Sequence, residues 1–148
     1  MNRPISTRTH GTIDYTWATT AAALTKILTN APSAARLIQN AGVAAAANTM
    51  LTNYEAGMMK VMPMKAHLAF DMVMCGALLL SPLLLPASER RYALIPMALG
   101  AVGFVTALLT ETESPMERAY AFTPSRELSE AVADPDIERT PHLRTHLE

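Results

Sequence analysis

The sequence predicts an all-α fold: a four-helix transmembrane bundle built from two repeated helical hairpins, followed by a polar C-terminal tail. Three observations lead to this expectation. Two long segments in the second half are apolar and nearly free of charge, weaker copies of both stand in the first half, and charge concentrates at the C-terminal end. We expect a membrane domain over residues 1–112, with repeats at about 8–55 and 65–112, and an acidic, proline-containing, largely mobile tail over 113–148.

Composition supports a membrane protein and argues against several other classes. Of the 148 residues, 50% are hydrophobic and 17% charged, below the roughly 25% of an average soluble domain. The net charge of -1 gives no surface for nucleic acid. The first residues lack the apolar core of a cleavable signal peptide, and the single Cys75 excludes an intramolecular disulfide.

The second half contains the two clearest membrane segments. The segment from His67 to Ala87 has about the length that a bilayer core requires, and the segment from Tyr92 to Thr110 has no charge at all. The polar stretch "SERR" between them suits a tight turn between antiparallel helices. We expect both segments to be transmembrane helices.

The first-half segments, residues 11–30 and 35–53, are less apolar and could each be a soluble amphipathic helix. Their many small residues suit close helix packing in lipid, and Lys26 near a helix end can extend to the headgroups. A soluble helical dimer that buries its apolar helices against a partner therefore remains an alternative.

An internal duplication connects the two halves. The stretch "LIQNAGVAAAANTMLTNYE" aligns with "LIPMALGAVGFVTALLTET" at an offset of 57 residues, becoming 58 after a one-residue slip. At the same offset of 57, His10 and Asp14 align with His67 and Asp71. If the second copy spans the membrane, we expect the first to do so as well.

An up-and-down bundle of these four helices brings the polar residues to one membrane face. Helices 1 and 3 start where helices 2 and 4 end, and the predicted ligand-binding or polar network comprises His10, Asp14, Asn53, Tyr54, Glu55, His67, Asp71 and Glu111. Positive charge is nearly balanced between the two faces, and an untranslocated acidic tail is the simpler outcome. We expect a multi-pass protein of the cell's inner membrane with both termini in the cytoplasm.

The stretch "LLLSPLLL" places Ser81 and Pro82 at the far end of the third helix. In this feature the chain resembles the SPW-repeat type of small bacterial integral membrane protein, over about residues 8–112. Leu83 replaces the Trp of that motif, and the first copy has "LTKILTNAPS" instead. The resemblance implies four membrane helices and no established activity.

The paired His and Asp residues allow two interpretations. A His and an Asp four residues apart lie on one face of a helix, and two such pairs with a further carboxylate suit an iron, manganese or zinc site. The predicted metal ligands are His10, Asp14, Glu55, His67 and Asp71. The structural interpretation, which we favour, is that the acids complement helix dipoles and the imidazoles connect the two repeats by hydrogen bonds.

Two other cofactors are lesser alternatives. A haem between His10 and His67 is conceivable from the symmetry, and the methionine-rich stretch "GMMKVMPMKAH" offers soft ligands for copper(I), although Met also fills irregular gaps. Lys60 and Lys65 beside that stretch suit anionic headgroups.

The chain lacks a nucleophile constellation, a phosphate loop and a dinucleotide fingerprint, so a soluble enzyme is disfavoured. We expect a structural or accessory membrane protein. The alternatives are a membrane protein that binds a small molecule, protons or a divalent metal, and a membrane oxidoreductase. The expected partner is the lipid bilayer. A homo-oligomer fits the same helices, and the tail, with a helix start at Ser125, offers a surface for an unknown protein.

Overall fold

The computed structural model describes residues 3–119, and between Thr7 and Leu109 they form five α-helices and one short 3₁₀ helix, without a β-strand. The all-α fold class is thereby confirmed for the described residues. The chain divides into two units, Met1–Ser114 and Pro115–Glu148. Of the second unit, residues 115–119 are described and are helical. The predictions of a mobile tail and of a helix start at Ser125 lie outside the described residues.

The first two helices form an antiparallel pair. Helix α1 spans Thr7–Ile27 and begins at the N-cap residue Ser6, whose hydroxyl accepts a hydrogen bond from the Thr9 amide at 3.2 Å. Helix α2 spans Pro32–Leu51, and Pro32 suits its first turn because the ring fixes φ at a helical value. A short turn joins them, so the two helices pack side by side along most of their length.

The second half forms a similar pair with an interruption. Helix α3 spans Met64–Leu79, α4 spans Ser81–Leu84, a 3₁₀ helix spans Arg90–Tyr92, and α5 spans Leu94–Leu109. Helices α3 and α5 pack against each other as α1 and α2 do.

The predicted helix from His67 to Ala87 is not continuous. Helix α3 ends at Leu79, and Pro82 begins the new turn of α4. Proline has no amide proton and its ring crowds the preceding turn, so it starts a helix well and continues one poorly. The Ser81 hydroxyl donates to the Ala93 carbonyl at 3.1 Å, which fixes the break against the entry to α5.

Glycine permits close helix contact in both pairs. A Cβ on Gly42 of α2 would lie 3.1 Å from Ala21 Cβ on α1, and a Cβ on Gly100 of α5 would lie 2.7 Å from the Cys75 carbonyl oxygen on α3. Such close approach of backbones is typical of helices packed by small residues.

Within residues 3–119, one helical stretch, Arg90–Leu109, has the length and apolar composition to cross a membrane. One such stretch is weak evidence, because the core helix of a soluble protein has the same properties. The other three predicted spans do not meet that criterion among the described residues.

Many large apolar side chains are nevertheless exposed on the helices after α1. Large hydrophobic side chains that are exposed on α2 to α5, or at the break between α3 and α4, are Val43, Phe70, Val73, Leu80, Leu83, Leu84, Leu94, Val102, Val105, Leu108 and Leu109. The interior contains many small residues together with polar ones such as Asn48, His67 and Asp71.

Candidate metal centre

Four ionisable side chains from two helices meet at one point inside the protein. His10 and Asp14 lie one turn apart on α1, and His67 and Asp71 lie one turn apart on α3. One ligand atom from each side chain lies within 4.8 Å of the other three. We call these four residues the His/Asp cluster.

The distances within the cluster are short and similar. The two Nε2 atoms of His10 and His67 are 3.0 Å apart. His10 Nε2 lies 3.3 Å from Asp14 Oδ2 and 3.2 Å from Asp71 Oδ2. His67 Nε2 lies 3.1 Å from each of the same two carboxylate oxygens.

The cluster is shielded from solvent. His10 and His67 are 1% and 0% exposed, and the Asp14 and Asp71 side chains are 13% and 8% exposed. Within the described residues, the two imidazoles are the only ion-pair partners of these carboxylates. Buried carboxylates without a compensating cation are costly, so the charge of the cluster must be balanced locally.

Two threonines fix the orientation of the imidazoles. Thr110 Oγ1 lies 2.8 Å from His10 Nδ1, and Thr52 Oγ1 lies 2.9 Å from His67 Nδ1. Each hydroxyl donates its single proton to a backbone carbonyl one turn earlier, at 2.7 Å for Thr110 and 2.6 Å for Thr52. The threonine oxygen must therefore accept from Nδ1–H, and a neutral imidazole then directs the lone pair of Nε2 into the cluster.

Helix α2 holds the two carboxylates. Asn48 Nδ2 donates to Asp71 Oδ1 at 2.9 Å, and the Thr49 hydroxyl donates to Asp14 Oδ2 at 3.1 Å. Asn48 Nδ2 also lies 3.2 Å from the His67 carbonyl oxygen. Both carboxylate groups of the cluster are thus held by side chains of α2.

Tyr54 covers the cluster after the end of α2. Its ring centroid lies 5.5 Å from that of His67, and the residue is fully buried. Burial raises the pKa of the Tyr54 hydroxyl, the Asp14 carboxylate adds to the rise, and the Thr49 hydroxyl partly offsets it. The Tyr54 hydroxyl makes no hydrogen bond of normal geometry within the described residues.

Glu55, Asn53 and Glu111, which were also predicted site residues, are not in the group of potential metal ligands. Glu55 accepts a hydrogen bond from the Thr7 hydroxyl at 2.7 Å and does not belong to the group of potential ligands. The Asn53 carbonyl accepts from the Ser114 hydroxyl, and the Glu111 amide donates to the Ile5 carbonyl. The structure therefore brings together four of the five predicted metal ligands.

Sequence reasoning did not assign a role to the threonines or to Asn48. A signal for the threonines was present, because Thr52 and Thr110 align in the two halves at an offset of 58. The contacts are crossed: each threonine bonds to the histidine of the other half. The position equivalent to Asn48 in the second half, at the offset of 58, is occupied by Thr106, so the asparagine is not repeated.

The donor set suits a divalent transition-metal ion. A zinc ion with tetrahedral ligands about 2.0–2.1 Å away has ligand atoms about 3.3 Å apart. Five of the six separations within the cluster are 3.0–3.3 Å. Imidazole and carboxylate ligands are compatible with zinc, iron and manganese. Without an ion, the same atoms require shared protons between the imidazoles and the carboxylates.

No protein-family model, curated protein or solved structure matches this sequence.

Proposed function

We propose that the protein binds one divalent transition-metal ion through His10 Nε2, His67 Nε2 and the Oδ2 atoms of Asp14 and Asp71. The observation that carries this proposal is the set of five donor separations between 3.0 and 3.3 Å. Iron, manganese and zinc are the candidates that accept such ligands.

Charge balance supports a divalent ion in particular. Two ionised carboxylates give the cluster a charge of minus two, and neutral imidazoles add nothing. A divalent cation makes the buried group neutral, as burial in a protein interior favours. The arrangement resembles metal sites in helical bundles, where ligands project inward from facing helices.

The histidine tautomers also support a cation. With both Nδ1–H groups donating to threonines, two neutral imidazoles direct their Nε2 lone pairs toward each other across 3.0 Å. That contact is repulsive unless a proton or a cation lies between the nitrogens. Hydrogen bonds from Nδ1 to a fixed acceptor are the usual support of a metal-binding histidine.

We further propose that the helices form a four-helix bundle within a membrane. Large apolar side chains such as Phe70, Leu83 and Val102 face outward, whereas polar groups are concentrated inside. The exposed threonines of α1 donate their hydroxyl protons to carbonyls of the same helix, which leaves few unsatisfied polar groups for lipid.

The two halves are proposed to be copies of one hairpin. The segment at Ile5 pairs with Thr110 after α5, and the segment at Met62 pairs with Thr52 after α2. These two bridges are related by the offsets of 57 and 58 that also relate the His, Asp and Thr residues. The candidate metal site lies where the two proposed copies meet.

The proposal is tested by elemental analysis of the purified full-length protein. We expect about one metal ion per chain in the wild-type protein and about tenfold less in His10→Ala and His67→Ala, because each removes one of four ligands. His142→Ala is the matched control and should keep its metal, since His142 is far in sequence from the proposed ligands.

Circular dichroism on the same samples shows whether each variant remains helical. Wild-type protein that is folded, carries no metal and takes up neither iron, manganese nor zinc on incubation would refute the proposal. That result favours the structural interpretation, in which shared protons connect α1 to α3 and the cluster serves stability alone.

A further inference from the structure

A small cavity adjoins the carboxylates of the His/Asp cluster, and Tyr54 is not part of its lining. Asp14 and Asp71 form part of its wall, and the remainder includes Trp17, Met74, Cys75 and Gly103. Its volume is about 10 Å³, close to the minimum that a single water molecule requires.

The lining of the cavity combines polar and apolar side chains, whereas an empty packing defect is lined by apolar ones. Its polar lining consists of Thr106 and two of the four proposed metal ligands, and most of its remaining lining is apolar. Four protein ligands close a tetrahedral zinc site, whereas iron and manganese accept further ligands beside such a set. The cavity provides space for such a further ligand beside the carboxylates.

The charge of the site selects the class of ligand. A divalent ion with Asp14, Asp71 and two neutral imidazoles is already neutral, so an added anion would leave a net negative charge in a buried environment. Burying an uncompensated charge is costly, and a neutral ligand avoids that cost. The volume restricts the ligand to one or two non-hydrogen atoms.

From the cavity and the charge we infer that the bound metal has an exchangeable position for one small neutral ligand, either water or a diatomic gas. This inference rests on the proposed metal site and adds the class of molecule that the site accepts. Trp17 contributes to the shape of the cavity because its Nε1–H donates to the Leu99 carbonyl at 3.0 Å, which fixes the indole.

Nitric oxide is a suitable probe, because it is neutral, has two atoms and gives ferrous sites a characteristic EPR signal. Full-length protein is loaded with iron(II) without oxygen, its iron content is measured, and it is then titrated with nitric oxide. We expect one nitric oxide per iron, and at least tenfold weaker binding of azide, because azide is anionic and has three atoms.

Ala45→Val tests the place of binding, since Ala45 also lines the cavity and two added methyl groups would fill it. We expect this variant to retain iron and to bind nitric oxide at least tenfold more weakly. Ala47→Val is the matched control, because Ala47 is exposed on the same helix and should leave nitric oxide binding unchanged.

Cys75→Ala provides a second variant that opens the cavity and removes the thiol as an alternative target of nitric oxide. We expect the EPR signal to persist and the association rate to rise severalfold.

Wild-type iron protein that does not bind nitric oxide would overturn the inference and leave the proposed metal site intact. Any of three other results would also overturn the inference. These are equal nitric oxide binding in Ala45→Val and wild type, azide binding as tight as that of nitric oxide, and loss of the EPR signal in Cys75→Ala. Failure of the wild-type protein to take up any of iron, manganese and zinc overturns the proposed function, and this inference with it.

Discussion

At the scale of single residues, the two threonines beside the imidazoles determine what the cluster can bind. The hydroxyl groups of Thr52 and Thr110 each donate a hydrogen bond to a helix carbonyl, so their oxygens can only accept from Nδ1–H. The nitrogen available for a cation is therefore Nε2 in both histidines. A hydroxyl that is inconspicuous in the sequence thus controls the chemistry of the histidine beside it.

This role gives a quantitative prediction for Thr52→Val and Thr110→Val. Each substitution keeps the side-chain shape but leaves Nδ1–H without an acceptor, so the imidazole is held less firmly. Loss of such a supporting hydrogen bond lowers metal affinity by about 10- to 100-fold. Competition with a chelator, followed by metal analysis, measures the effect.

Thr16→Val is the matched control for these variants. The Thr16 hydroxyl also donates to a carbonyl one turn earlier, at 2.8 Å, but it lies on the exposed side of α1. It should bind metal as the wild type does. Equal affinity in all three variants would show that the threonines do not support the site.

At the scale of helices, a carboxylate from the second half of the chain caps the N-terminus of α2 in the first half. Glu89 Oε2 accepts hydrogen bonds from the amides of Ser33 and Ala34, both at 2.9 Å. The N-cap residue Ala31 has no side-chain acceptor of its own, so Glu89 takes over that function from a distant part of the chain. Its negative charge also complements the dipole of α2.

Glu89→Ala should lower the free energy of unfolding by about 1–3 kcal/mol, because buried amides lose their acceptor. Glu89→Gln should lose less, since one oxygen remains to accept. Thermal unfolding followed by circular dichroism measures both. A larger loss in Glu89→Gln than in Glu89→Ala would contradict the capping role.

The break between α3 and α4 shows what could not be predicted at this scale. Residues 77–80 and 83–85 are all apolar, and only Ser81 and Pro82 separate them, so a single long helix was the natural expectation. The helix instead ends at Leu79, and the Ser81 hydroxyl contacts Ala93 across the turn. Pro82 was the sequence signal for an interruption. The contact between Ser81 and Ala93 depends on how the two helices pack, so it could not be predicted.

At the scale of the whole molecule, the all-α class and the convergence of the two His–Asp pairs could be predicted, whereas the contacts around them could not. Spacing alone places His10 with Asp14 and His67 with Asp71, and the proposed repeat places the two pairs at equivalent points. Glu55 was predicted to join them but contacts Thr7 instead, because side-chain direction after a helix end is not set by spacing.

The exposed apolar side chains of α3 to α5 give a prediction about location. The stretch Arg90–Leu109, with 20 residues, is about 30 Å long at 1.5 Å per residue, which matches a bilayer core of about 30 Å. We expect the full-length protein to remain in the membrane pellet after alkaline carbonate extraction. Release into the supernatant as a dimer would instead support the soluble alternative, with Phe70 and Val73 at its interface.

The crossed threonine contacts have a consequence for biosynthesis. The ribosome delivers His10 and Asp14 first, but the hydroxyl that orients His10 belongs to Thr110, which is made 100 residues after His10. The proposed high-affinity site cannot form before Thr110 has been synthesised, so an ion bound there would connect an early part of the chain to a much later one.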